Sequence, residues 1–119
     1  MRYDEIEIDG VTVMTVHGDI VGDESRRRLV DHVRSLLITD RHQIVLDLSG
    51  VKKVDSRGLG ELIECYSAAQ GLGGAVKLLG VGDRLADLLV ITKLVNVFEC
   101  FETREAALAS FAPVAVTAR

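Results

Sequence analysis

Tryptophan is absent, and the other aromatics are few, with two Tyr and three Phe. A core without large rings must be built from aliphatic side chains, which suits helices packed on a sheet. Cysteine is equally scarce. Cys65 and Cys100 are far apart and form no CxxC pair, which gives a zinc or redox site no support. Each stands among apolar neighbours and is expected to be a small core residue. No apolar run approaches the roughly 18 residues of a membrane-crossing helix, so no membrane span is expected. The acidic opening MRYDEIEID has no apolar stretch, so no signal peptide is expected and the protein should stay in the cytoplasm. His17, His32 and His42 are scattered and lack metal-ligand spacing.

Missing motifs narrow the chemistry further. There is no GxxxxGK[ST] loop. Gly80-Val-Gly82 follows an apolar run and precedes a helical pattern, but Leu85 stands where a dinucleotide turn needs its third glycine. No G-x-S-x-G elbow surrounds a serine. The expectation is a protein that is not an enzyme and has no cofactor, metal or catalytic residue. A net charge of -4 argues against direct nucleic-acid binding, which needs a basic surface.

What is present is enough for a folded core: 119 residues with 48% apolar content. Glu5–Asp9 and Val11–His17 alternate in polarity around Asp9-Gly10, a hairpin signal because a type I′ turn needs positive φ at both central residues. Asp23 is a plausible helix cap, followed by Leu29, Val30, Val33, Leu36 and Leu37 at helical spacing. Arg26, Arg27, Arg28, Asp31 and Arg34 read as the solvated face of that helix. Gln43–Leu48 is almost wholly apolar and reads as a strand buried on both faces. A second helix is expected over Gly58–Leu72, ended by Gly71-Leu-Gly-Gly74. A strand over Val76–Leu79, a helix capped by Asp83, a strand over Val97–Phe101 and a helix capped by Thr103 through about Phe111 complete the order. The Leu-rich third helix has too many apolar residues for one face, so part of it forms either core or an exposed patch. The order ββαβαβαβα implies an α/β fold: a mixed, largely parallel sheet with an N-terminal hairpin and about four helices. No repeat or linker divides it. Residues 1–119 are expected to form a single domain, with the core over about 5–111 and a frayed tail at 112–119.

In such sheets partners meet the loops beyond the strand carboxyl ends. The richest is Asp47-Leu-Ser-Gly-Val-Lys-Lys-Val-Asp-Ser-Arg-Gly-Leu-Gly60. Asp55 and Ser56 lie just before the second helix, and Gly58 and Gly60 leave its first turn bare. A helix N-terminus carries unpaired N–H groups and partial positive charge, so a hydroxyl there can carry a phosphate with local stabilisation. The bland reading is equally simple: Asp55 or Ser56 is only a cap, and the glycines only permit a tight turn.

Ile44-Val-Leu-Asp-Leu-Ser-Gly-Val51 followed by Val54-Asp-Ser-Arg-Gly-Leu-Gly60 resembles the signature of the STAS family, which includes bacterial anti-sigma factor antagonists. The element order matches as well, so the resemblance spans roughly residues 5–111. It implies that Ser56 is the phosphoacceptor of an anti-sigma factor serine kinase. It further implies that a metal-dependent serine/threonine phosphatase reverses the modification, and that Asp19, Asp55, Ser56, Arg57, Gly58, Leu59 and Gly60 face the partner. Two positions depart from the family pattern. Arg57 replaces the second serine, and it pairs with phosphoserine, pairs with Asp55 or marks a different partner. Val21 replaces an aspartate in the loop after the hairpin. Two other readings stay open: a non-switching STAS scaffold module of a stress-sensing or lipid-transport complex, and a small-ligand or nucleotide sensor. A homodimer is compatible with either STAS reading.

Overall fold

In the computed structural model, residues 2–20 and 26–111 are described. The expected cap Asp23, the departure at Val21, the side chains of Arg26–Arg28 and the tail 112–119 lie outside the described residues. The chain runs β1 (Arg2–Ile8), β2 (Val11–His17), α1 (Arg26–Ile38), β3 (Gln43–Asp47), α2 (Ser56–Gly71), β4 (Ala75–Leu79), α3 (Asp83–Ile91), β5 (Cys100–Phe101) and α4 (Arg104–Ala109). The five strands form one sheet in sequence order; β1 and β2 are antiparallel and the later pairs are parallel. The expected fold class is what is found.

The hairpin turns where the sequence says it should. Asp9 and Gly10 both take positive φ, 53° and 83°, and Ile8 pairs with Val11 across the turn. Strand alternation then assigns each side chain to a face. Met14, Val16, Ile44, Leu46, Val76 and Leu78 point to the face covered by α1 and α2, where Leu29, Val33, Leu37, Leu62 and Cys65 meet them. Val11, Val13, Val45 and Leu79 point the other way, toward Ala107 of α4. The β3 strand is therefore buried on both sides, as its run of apolar residues required.

Two buried charged groups were not anticipated. Glu61 is 2% exposed, and its Oε2 accepts the N–H of Val30 at 3.0 Å, joining α2 to the first turns of α1. Lys77 is 8% exposed and turns toward α4. Its Nζ donates to Ser110 Oγ at 3.0 Å and Ser110 O at 3.3 Å, stands 3.4 Å from Glu99, and lies 4.2 Å from the centre of the Phe111 ring. The lysine stem fills apolar space while its head is fully engaged, which is how a cation becomes tolerable there.

Several boundaries differ from expectation. Helix α2 begins at Ser56, with Asp55 as its N-cap. Gly82, not Asp83, is the N-cap of α3; Asp83 lies inside the first turn, where its charge still complements the helix end. Thr103 caps α4 as expected, its side chain accepting from Ala106 N–H, but the helix ends at Ala109. The last strand is only Cys100–Phe101. Val97 N–H and Phe98 N–H bond back to Leu94 O, so this stretch turns and drives Phe98 into the core against Tyr66. Cys65 is buried as expected, but Cys100 is exposed: it sits on the edge strand, facing the side of α3. In the Leu-rich third helix, Leu85 and Leu89 enter the core while Val90 and Ile91 stay outside.

Burial pushes the Cys65 thiol well above the ordinary thiol range, with Glu61 and Glu64 adding to the effect; partial burial raises Cys100 as well. A native-state thiol titration near pH 8 should therefore label Cys100 alone, and both thiols only in denaturant. Fast labelling of two thiols would contradict this packing. Replacing Glu61 by Ala should lower unfolding free energy by about 2 kcal/mol, the scale of a hydrogen bond to a charged group. A urea titration with an unchanged midpoint would show that the α1–α2 bond contributes nothing.

Candidate functional site

The carboxyl ends of β2 and β3 send out the two segments that make the site. At the end of β3, Asp47 Oδ1 accepts both the backbone N–H of Ser49 (3.0 Å) and its hydroxyl (2.7 Å), turning the chain sharply. The loop then travels along residues 18–20. Ile20 N–H donates to Lys53 O at 2.9 Å, and Asp55 N–H donates to Ile20 O at 3.3 Å. Ile20 and Val54 thus form a parallel bridge beyond the main sheet. Asp19 adds a side-chain bond, its Oδ1 accepting Lys53 N–H at 3.2 Å. Ile20 itself is fully buried.

This strap requires glycine at position 58. A Cβ there would stand 1.9 Å from Ile20 O and 2.7 Å from Ile20 C, an impossible contact with backbone. Gly60, two residues on, has open space around it. The two glycines of the motif therefore do different jobs.

Helix α2 starts from this anchored loop. Asp55 is extended (φ -92°, ψ -176°), and its Oδ1 accepts Gly58 N–H at 2.8 Å; the first helical bond, Leu59 N–H to Asp55 O, spans 2.9 Å. Asp55 is therefore the cap. Ser56, expected in the loop before the helix, is instead the first helical residue. It is exposed, as is Arg57, whereas Leu59 is buried against the core. Among the described residues nothing hydrogen-bonds the Ser56 hydroxyl. The N–H groups of Ser56 and Arg57 precede the first helical bond, so they face outward with the positive end of the helix dipole.

Of the seven expected partner-facing residues, Asp19, Asp55, Ser56 and Arg57 are exposed and Gly60 is half-buried, whereas Gly58 and Leu59 are buried beneath the helix entry. Their roles divide: Asp55 caps, Gly58 permits the strap, Leu59 anchors, and Ser56 and Arg57 are presented to solvent. Reading the sequence missed the neighbourhood of Arg84. This side chain, at the start of α3, shares a depression with Asp19, Lys52 and Lys53. A second cavity of about 250 Å³ lies between this loop and α3. Only the parallel topology joins these residues, so no local sequence signal announces them. Among the described residues no cluster of His, Cys, Asp and Glu could hold a metal ion, and no helix is long and apolar enough to cross a membrane.

A family model for the STAS domain matches residues 3–107. The fold is similar to that of a putative anti-sigma factor antagonist from Thermotoga maritima, with TM-score 0.86 and 20% identity over 93% of this chain and 95% of that one. It is also similar to the phosphorylated form of the Bacillus cell fate determinant SpoIIAA, with TM-score 0.71 and 13% identity over 92% and 98% of the two chains. A sulfate transporter family protein from Wolinella succinogenes matches with TM-score 0.69 and 21% identity over 88% and 87%. At these identities the likeness is one of fold.

The strap predicts opposite outcomes for two alanine substitutions. Gly58→Ala should cost about 3 kcal/mol, the upper end for forcing atoms into a packed site. Gly60→Ala should be neutral or stabilising by up to about 1 kcal/mol, since glycine is a poor helix former. Chemical denaturation of both variants checks this, and equal effects would remove the special role given to position 58.

Proposed function

We propose, from the premise that this chain belongs to the STAS domain family, that it is an anti-sigma factor antagonist controlled by phosphorylation of Ser56. The observation that carries the reading is the placement of an exposed hydroxyl at the first turn of α2, next to an aspartate that already caps the helix. Because Asp55 holds the turn, Ser56 is spare: it can be modified without loss of the cap. A phosphate there would meet outward-facing N–H groups and the helix dipole, so the fold has no reason to resist it. It would add roughly -1.5 to -2 charges at neutral pH to a surface that stays the same shape.

The cycle then follows from differential binding. The unmodified protein docks its Ser56 loop on an anti-sigma factor serine kinase and so frees a sigma factor. The kinase transfers phosphate to Ser56, and the new anion, set in the middle of the docked surface, expels the antagonist. A metal-dependent serine/threonine phosphatase restores it. The protein performs no catalysis in this scheme and acts in the cytoplasm, where sigma factors work. Arg57 stands beside the acceptor and is available to the phosphate or to the kinase.

A second reading is a non-switching STAS module within a larger assembly. It is favoured by the departure at Arg57 and by the likeness to a sulfate transporter family protein. The two readings separate on Ser56. Incubated with the purified kinase and ATP, the wild type should gain one phosphate, mapped to Ser56 by peptide mass spectrometry, and Ser56→Ala should gain none. Ser56→Asp should bind the kinase at least about tenfold more weakly, from the charge alone. Its stability should stay within about 0.5 kcal/mol of wild type, as for other exposed substitutions. Equal kinase affinity for both proteins would discard the switch and leave the scaffold reading.

A further inference from the structure

We infer that the kinase-facing surface continues past the Ser56 loop onto a cationic, apolar-floored cavity at the start of α3, which takes an apolar side chain of the kinase flanked by carboxylates. This rests on the reading of the protein as a kinase-bound antagonist and names the chemistry of the partner's contact.

The cavity holds about 250 Å³. Its floor is apolar: Leu48 and Leu85 are buried, and Val51 and Val54 are half-buried. Lys52 and Arg84 line it as well, and both are exposed. They also line, with Lys53 and Asp19, the adjoining depression, so the two hollows form one surface. Val51, Lys52, Lys53 and Val54 belong to the loop that leads into Ser56, which makes the surface continuous with the proposed switch. A mixed floor and rim of this kind suits a protein side chain and its charged neighbours.

The charge is out of keeping with the rest of the chain. The protein carries -4 overall, yet three cations gather here. Two carboxylates, Asp19 and Asp83, share the surface and offset part of this charge, so three cations stand against two anions. Asp19 accepts Lys53 N–H, and Asp83 lies in the first turn of α3. Among the described residues Lys52, Lys53 and Arg84 form no ion pair. An excess of positive charge around a small apolar floor, beside the proposed docking loop, fits a partner that carries carboxylates. Such rim charges act over several ångströms, speed encounter and make binding sensitive to salt.

The test uses the full chain and the purified kinase, titrated by calorimetry at low and high salt. The proteins are wild type, Lys52→Glu/Arg84→Glu, the neutral pair Lys52→Gln/Arg84→Gln, the conservative pair Lys52→Arg/Arg84→Lys, and Ser56→Asp. Thermal unfolding confirms that each variant is folded. The inference expects charge reversal to weaken binding by at least about tenfold at low salt, neutralisation to weaken it less, and the conservative pair to bind as wild type. The salt dependence of affinity should shrink in the neutral pair. Unchanged affinity and salt dependence in the reversed pair, with Ser56→Asp still impaired, overturns the inference and leaves the switch intact. The converse pattern, with reversal damaging and Ser56→Asp harmless, keeps the surface and discards the switch. A kinase that does not bind the wild type at all overturns both.

Discussion

The close approach of Ile20 to α2 is the constraint on which the site depends. One carbonyl, that of Ile20, accepts Asp55 N–H and leaves no room for a side chain at Gly58. Together with the bond from Ile20 N–H to Lys53 O, it fixes where the loop from β3 must pass and at what point the helix can begin. Asp55 then closes the first turn. Ser56 is presented because Asp55, Gly58 and Leu59 already cap, clear and anchor the helix entry. The backbone carries the geometry, and the side chains at positions 56 and 57 are left free to differ.

That division has an energetic side. Ile20, Leu48, Leu59 and Leu62 are all essentially removed from water, so the segments bearing the site are tied into the main core. Lifting the 18–20 segment off the loop would expose this apolar surface as well as break the backbone bonds, and burial of each such side chain is worth about 1.5–3 kcal/mol. A charge added at Ser56 acts on a surface of set shape. In the proposed switch a partner would sense it through repulsion and desolvation, without any rearrangement of the fold.

Much of the fold was legible because it is written in local periodicities. Asp9-Gly10 between alternating runs, the apolar run before Asp47, and the Leu and Val spacing in α1 each name one element unambiguously. The failures have physical causes. Val97–Phe101 reads as a short, mostly apolar strand, but two N–H groups in it find Leu94 O, and Phe98 fills the core instead of extending the sheet. Helix α2 begins two residues before the glycines suggested, because an aspartate in extended conformation outweighs their reluctance to be helical. Glu61 looks like a surface residue until α1 is placed beside it. Lys52 and Arg84 are separated by a whole strand and helix, and only the order of parallel strands brings them to one cavity.

The replacement of a family serine by Arg57 bears on how specific a kinase could be here. The segment from Asp47 to Gly60 holds two hydroxyl groups, those of Ser49 and Ser56. Ser49 is committed: its hydroxyl donates to Asp47 Oδ1 at 2.7 Å, and the turn out of β3 uses that bond. A phosphate on Ser49 would set a new anion beside the Asp47 carboxylate and break the turn, so the local chemistry disfavours it. Ser56 has the opposite environment, with helix N–H groups ahead of it, a cationic side chain next to it and lysines in the same loop. With arginine at position 57 the helix entry offers one acceptor instead of two. Within the proposed switch, that departure confines modification at the helix entry to a single hydroxyl, and it places beside that hydroxyl a guanidinium whose planar fork suits a phosphate.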